Sequence, residues 1–221
     1  LVQSKHLTIF GTTPNQTGTI VLLGPYDPSY WPVLCGSPEW LDGQPDPIDR
    51  WSLRIIEQLA QTTGSHACFP FGPTASPFLS WALTSDRAWQ SPVGMVVQAD
   101  AGLLVSYRGA LVFDQPITSP DTATAPCPDC AKPCLSACPV NALKGTNYDV
   151  EACFEYVKKD PNQRCRNNGC LARLSCPISA THPRHPEQLA YHMKQFLKWR
   201  FYWCGTPRLI QILGWKITPE I

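Results

Sequence analysis

Eight of the chain's eleven cysteines lie between Cys127 and Cys176, while the 126 residues before them hold only Cys35 and Cys68. Cysteines that close disulfide loops are usually spread through an exported fold. A dense local group, with few cysteines elsewhere, points instead to metal ligation. Such a segment must coil tightly around what it binds.

The first group reads Cys127-Pro-Asp-Cys130-Ala-Lys-Pro-Cys134-Leu-Ser-Ala-Cys138-Pro139, or C-x2-C-x3-C-x3-C-P. The bacterial ferredoxin run is C-x2-C-x2-C-x3-C-P, one residue shorter between its second and third cysteines. Three thiolates converge on one cuboidal cluster, main-chain N–H groups point at the sulfurs, and the fourth cysteine serves a second cluster. Pro139 suits the first position of a helix over Val140, Ala142 and Leu143, closing at Gly145. The second group is looser: Cys153, then Cys165-x4-Cys170-x5-Cys176-Pro177. Asp149 can cap a helix carrying Cys153, with Lys158 and Lys159 at its C-terminal end. Eight ligands suffice for two [4Fe–4S] clusters. The crossed ferredoxin pattern assigns Cys127, Cys130, Cys134 and Cys176 to one and Cys138, Cys153, Cys165 and Cys170 to the other. Structural zinc also uses C-x2-C pairs, so a zinc-stabilised interaction module is the rival reading, with disulfides a third.

The chain as a whole reads as α+β. Residues 1–115 form a mixed α/β domain, 116–126 a linker, 127–180 a ferredoxin-like dicluster domain, and 181–221 a C-terminal helix and tail. Thr19–Gly24 is an apolar run that suits a buried strand. A loop rich in Pro, Tyr and Trp covers 25–45. Asp46 can cap a helix that begins at Pro47, carries Ile48, Trp51, Ile55 and Leu59 at helical spacing, and closes at Gly64. His66–Phe71, Gly94–Val97 and Leu103–Phe113 are expected strands, the last two joined through Asp100-Ala101-Gly102. Ser76–Trp89 is an expected helix. A final helix over 186–200 carries Leu189, Met193, Phe196, Leu197 and Arg200 on one face.

From Val93 to Pro177 the order of features resembles the epoxyqueuosine reductases. A hairpin containing Gly102-Leu-Leu-Val-Ser-Tyr-Arg-Gly-Ala-Leu-Val-Phe113 comes first. The first cysteine run, Ala152-Cys153-Phe-Glu-Tyr156 and the final Cys176-Pro177 follow. The resemblance implies two [4Fe–4S] clusters beside a cobalamin, held by an N-terminal domain similar to that of corrinoid reductases. Two departures accompany it. The family's acidic proton donor lies near a Val-Asp-x-x-Pro motif, whereas Phe69-Pro70-Phe71-Gly72-Pro73 and Ala75-Ser76-Pro77 contain no Asp or Glu. The C-terminal helical repeats that help bind tRNA have no counterpart either. The epoxide-reducing activity is therefore not expected.

Elsewhere the candidates are fewer. Tyr107 and Arg108 are candidate cofactor-binding residues, because an Arg there can pair with a phosphate or carboxylate; a strand-edge salt bridge is the competing reading. Tyr26, Tyr30, Trp31 and Trp40 could line a flat ligand or cap the core under the loop. His182, His185 and His192 match no ligand spacing. Cys35, Cys68 and Cys204 lie outside the cluster pattern and read as structural.

The net charge of +1, without long runs of one sign, does not favour nucleic acid or an anionic membrane. No run of about 18 apolar residues offers a membrane span. The first residues show no secretory signal, and a cytoplasmic location is expected. The expected function is electron transfer through two clusters, as a carrier or electron-transfer module with a protein redox partner. The alternative is a cobalamin- or flavin-dependent reductase, oxidoreductase-like in its chemistry.

Overall fold

The computed structural model describes residues 1–27, 29–117, 122–145 and 147–203. Cys204, the rest of the tail and part of the expected linker fall outside them. In chain order the elements are β1 (Leu7–Pro14), β2 (Thr19–Pro25), α1 (Tyr30–Cys35), α2 (Pro38–Leu41), α3 (Pro47–Thr63), β3 (His66–Cys68), α4 (Phe78–Leu83), β4 (Ala88–Gln90), β5 (Val96–Gln98), β6 (Gly109–Phe113), β7 (Leu143–Lys144), β8 (Asn147–Tyr148), α5 (Val150–Lys159), α6 (Arg164–Asn168), α7 (Leu171–Leu174), α8 (Pro177–Thr181) and α9 (Pro186–Trp203). Helices and antiparallel sheet together make an α+β chain.

Two compact units emerge, and the chain passes between them more than once. One comprises Leu1–Trp89 and Val105–Ala125; the other comprises Gln90–Leu104 and the chain from Pro126 onward. The segment before the cysteines thus contributes Gln90–Leu104 to the cysteine-bearing unit, which differs from one cut at the linker.

The first unit is built on an antiparallel sheet of order β1-β2-β6-β3. β2 is central and buried along its whole length, which explains a continuous apolar run in place of alternation. Gly24 ends that run because the Phe10 ring lies where a Cβ would stand, 1.9 Å from its Cε2. Helix α3 covers β3 and β6 with Ile48, Trp51, Ile55, Ile56 and Leu59. Pro47 opens it, and Gly64 closes it in the left-handed conformation at φ 64°.

Several expectations are corrected here. Asp46 precedes α3 but makes no capping bond with its side chain. It sits in the left-handed region at φ 53°, whereas a capping side chain needs an extended backbone to reach the first amides. The expected loop at 25–45 contains α1 and α2, and β1 was not anticipated. The helix expected over Ser76–Trp89 is only α4. The Thr84 and Ser85 hydroxyls donate to carbonyls at its C-terminal end, Asp86 turns left-handed, and the chain becomes β4. The strand expected over His66–Phe71 stops at Cys68, and that over Leu103–Phe113 begins only at Gly109.

In the second unit the Gln98 side chain is fully buried, and its Oε1 accepts from the amides of Asp100 and Ala101. Gln98 and Gly102 exchange main-chain bonds across that tight turn. Leu103 and Leu104 are buried in this unit, which is why the expected strand does not form there. No helix follows Cys138: Asn141 takes φ 50°, and Leu143–Lys144 pairs with Asn147–Tyr148 as a short ribbon. Helix α9 packs on α5 and α6, with Phe154 and Phe196 in edge contact.

Candidate metal centre

The second unit gathers the eight cysteines in two sets of four. Cys127, Cys130, Cys134 and Cys176 form the first. Lys132, in the left-handed conformation, turns the chain into a 3-10 turn over Pro133–Leu135 that carries Cys134. Cys176 occupies the capping position of α8, whose first residue is Pro177. The Lys132 amide donates to Cys130 Sγ at 3.3 Å. Burial pushes the Cys127 thiol up, and the nearby sulfurs of Cys130, Cys134 and Cys176 push the same way. Cys134 is likewise raised by burial first, then by Cys176.

Gly102 is the close neighbour of this set. A Cβ there would stand 2.6 Å from the Ser179 amide and 3.0 Å from Cys176 Sγ, and the residue is at φ 58°. The Ser179 hydroxyl accepts from the Leu104 amide and donates to the Ala101 carbonyl, tying the turn to α8.

Cys138, Cys153, Cys165 and Cys170 line one cavity. Its remaining wall includes Met95, Leu143, Tyr156, Val157, Leu171 and Met193, so both methionines of the chain face this site. Asp149 accepts from the Ala152 amide at 2.9 Å and caps α5 as expected; α5 carries Cys153. The Ala142 amide donates to Cys138 Sγ at 3.3 Å. Burial pushes the Cys153 thiol up to about 12; a hydrogen bond from Tyr148 pulls it down, and Cys170, Cys138 and Cys165 push it up again. Burial also raises Cys165. The Arg173 Nε donates to the Leu103 carbonyl; desolvation lowers its pKa, with Cys170 and Tyr148 opposing.

The ten described cysteines are all free thiols, so none forms a disulfide. Among the described residues no three His, Cys, Asp or Glu side chains come close enough together to hold a single metal ion. Sulfurs of the same set add to the rise of Cys127 and Cys134 in the first and of Cys153 and Cys165 in the second, so each set would suit a group with a cationic core. A cuboidal iron–sulfur cluster is such a group. The donors fit it on chemistry as well, being all sulfur, with main-chain N–H groups donating to Cys130 and Cys138.

Comparison with protein-family models, curated proteins and solved structures finds no match.

In the first unit Tyr107 and Arg108 lie just before β6 rather than on it. Arg108 pairs with Asp49 at 3.4 Å, the ion pair weighed against a ligand contact in the sequence. Burial raises Asp49, and Arg108 opposes that. Tyr107 packs edge-on against Phe10, and its hydroxyl is buried without a partner among the described residues. Tyr30 and Trp31 are buried in T-shaped contacts with Trp51 and Trp40, as core under the 25–45 segment. His182, His185 and His192 do not line the cavity.

Sequence reasoning missed Gly102, Ser179, Tyr148 and Met95 as neighbours of the cysteines. It found Met193 on the correct face of α9 without its destination. No local pattern marks these residues, because each reaches the site through tertiary folding. A glycine in the Asp100-Ala101-Gly102 turn, directly before Leu103 and Leu104, was the one available signal.

Proposed function

We propose that this chain is an iron–sulfur redox protein that transfers electrons through two [4Fe–4S] clusters. Cys127, Cys130, Cys134 and Cys176 would hold one cluster, and Cys138, Cys153, Cys165 and Cys170 the other. The observation that carries the reading is the division of eight thiols into two sets of four, in the crossed order of dicluster ferredoxins. When bound, such a cluster supplies a one-electron carrier. The chain's part is to fix the thiolates, to donate main-chain N–H groups to sulfur, and to keep water from the second set with Met95, Val157, Leu171 and Met193. A zinc module is the competing reading, since four thiolates can also hold tetrahedral zinc at about 2.3 Å from each sulfur.

Anaerobic reconstitution with iron and sulfide, followed by quantitation of both and EPR of the reduced protein, tests the reading. About eight irons per chain is the expected result. A colourless protein holding zinc would overturn it.

One observation favours a second reading, a reductase in which the first unit binds cobalamin or flavin. The buried Tyr107 hydroxyl lacks a partner among the described residues, and buried polar groups ordinarily have one. The likeness of the Val93–Pro177 order to epoxyqueuosine reductases points the same way. Equilibrium titration with each cofactor separates the readings: a carrier binds neither stoichiometrically.

A further inference from the structure

Between its third and fourth cysteines of the first group, and just beyond, the chain runs along the surface. The 3-10 turn over Pro133–Leu135 buries Cys134 and leaves the next residue, Leu135, 46% exposed. Past Cys138 the left-handed Asn141 redirects the chain, so that Ala142 and Leu143 are buried while Pro139, Val140 and Asn141 stay exposed. Pro139 and Val140 also line the cavity that holds Cys138. The segment 135–141 therefore borders both sets of thiols and faces solvent.

Single exposed apolar side chains are ordinary and imply no partner. Position and surroundings separate Leu135 and Val140 from the rest. An electron passes between proteins only where the partner comes close to the redox group, because the rate falls steeply with distance. Leu135 adjoins a thiol of the first set, and Val140 lies two residues from one of the second. The surroundings are basic. Residues 131–148 contain Lys132 and Lys144 and no Asp or Glu. Lys144 is exposed and Lys132 half-buried, and neither joins an ion pair among the described residues. The carboxylates that bound this stretch are Asp129, exposed before Cys130, and Asp149, whose side chain caps α5. Transient electron-transfer contacts are small, with an apolar centre inside a charged rim.

We propose that the segment 135–141, flanked by Lys132 and Lys144, is the docking surface for a small electron-carrier protein whose own contact patch is ringed by carboxylates. Leu135 and Val140 supply the apolar centre, and the two lysines steer the acidic partner in. One electron then moves from the reduced carrier to an oxidised cluster, so the carrier is oxidised by one electron and the cluster reduced by one, with no bond made or broken. The inference rests on the two-cluster reading above.

The test mixes the anaerobically reconstituted full chain with a reduced plant-type [2Fe–2S] ferredoxin, an acidic carrier, in a stopped-flow spectrometer. The wild-type second-order rate should fall as salt is added. Leu135→Ser and Lys144→Glu should each lower it by about three- to tenfold, with iron content and reduction by dithionite unchanged. Lys194→Glu makes the same charge change on α9, away from this segment in the chain, and should alter the rate by less than about twofold. A second measurement needs no variant. Carbodiimide joins carboxylates to amines at contact distance, and mass spectrometry of the cross-linked wild-type complex should find ferredoxin attached at Lys132 or Lys144. Loaded variants that accept electrons at the wild-type rate overturn the proposal, as do an equal loss in Lys194→Glu, cross-links confined to other lysines, or a loaded chain that dithionite reduces and the ferredoxin does not. A wild-type protein that takes up neither iron nor sulfide overturns the two-cluster reading, and this one with it.

Discussion

Cys153 shows what the second set of sulfurs requires. Its thiol is pushed up to about 12 by burial and by three other sulfurs, so ionising all four demands a compensating cation at their centre. Cys153→Ala is expected to lower bound iron from about eight to about four per chain, since only one set of four thiols remains whole; iron quantitation checks it. Gly102→Ala tests the other set. The new methyl would press on Ser179 and Cys176 in a left-handed backbone, at an expected cost of about 1–3 kcal/mol in urea unfolding of the loaded protein, together with loss of iron from the first set. A third residue is informative about pH. The Arg54 fork, with Nη2 2.9 Å from Glu39 Oε2, holds the Glu39 carboxyl at about 2, below its usual 4.5. A carboxylate with a depressed folded-state pKa contributes stability above its unfolded value and loses it as pH falls through the folded one. Wild-type stability attributable to this pair should therefore fade between pH 4.5 and about 2, while Glu39→Gln removes about 1 kcal/mol at neutral pH and flattens that window. Thermal unfolding across pH, compared between the two proteins, reads both effects.

Elements were legible where signals sat next to each other in sequence. The run to Gly24 predicted β2, Pro47 and Gly64 bracketed α3, and Asp149 capped α5 as its position indicated. Asp149→Ala should cost about 1 kcal/mol by removing an acceptor for the Ala152 amide, measurable as a lower urea midpoint. The same kind of signal failed at Asp46, where residue type suited a cap but the backbone turned left-handed. It failed again after Cys138, where Pro139 suggested a helix and Asn141 redirected the chain into the β7–β8 ribbon. Leu103–Phe113 looked like one strand because Val105, Tyr107, Val112 and Phe113 favour extension. Leu103 and Leu104 are instead buried in the cysteine-bearing unit, and the strand begins at Gly109. A propensity cannot say which core an apolar residue will join.

For the whole molecule, the two units predict different responses to iron removal. The first is built on an antiparallel sheet covered by α3, and its buried apolar residues do not depend on thiols. In the second, α5 carries Cys153, while the other cysteines lie in or beside short turns and helices of four or five residues. Chelation of iron should lower the unfolding temperature of the second unit and leave that of the first in place, seen as a melt that splits into two transitions. The sequence by itself determined the α+β class and marked the eight cysteines as ligand candidates, because residue type and spacing carry that information directly. Tertiary structure decided that Gln90–Leu104 belongs with the cysteines, that Gly102 and Ser179 flank Cys176, and that Tyr148 and both methionines face the second set. Those contacts join residues distant in sequence, and only a folded chain's packing specifies which surfaces meet.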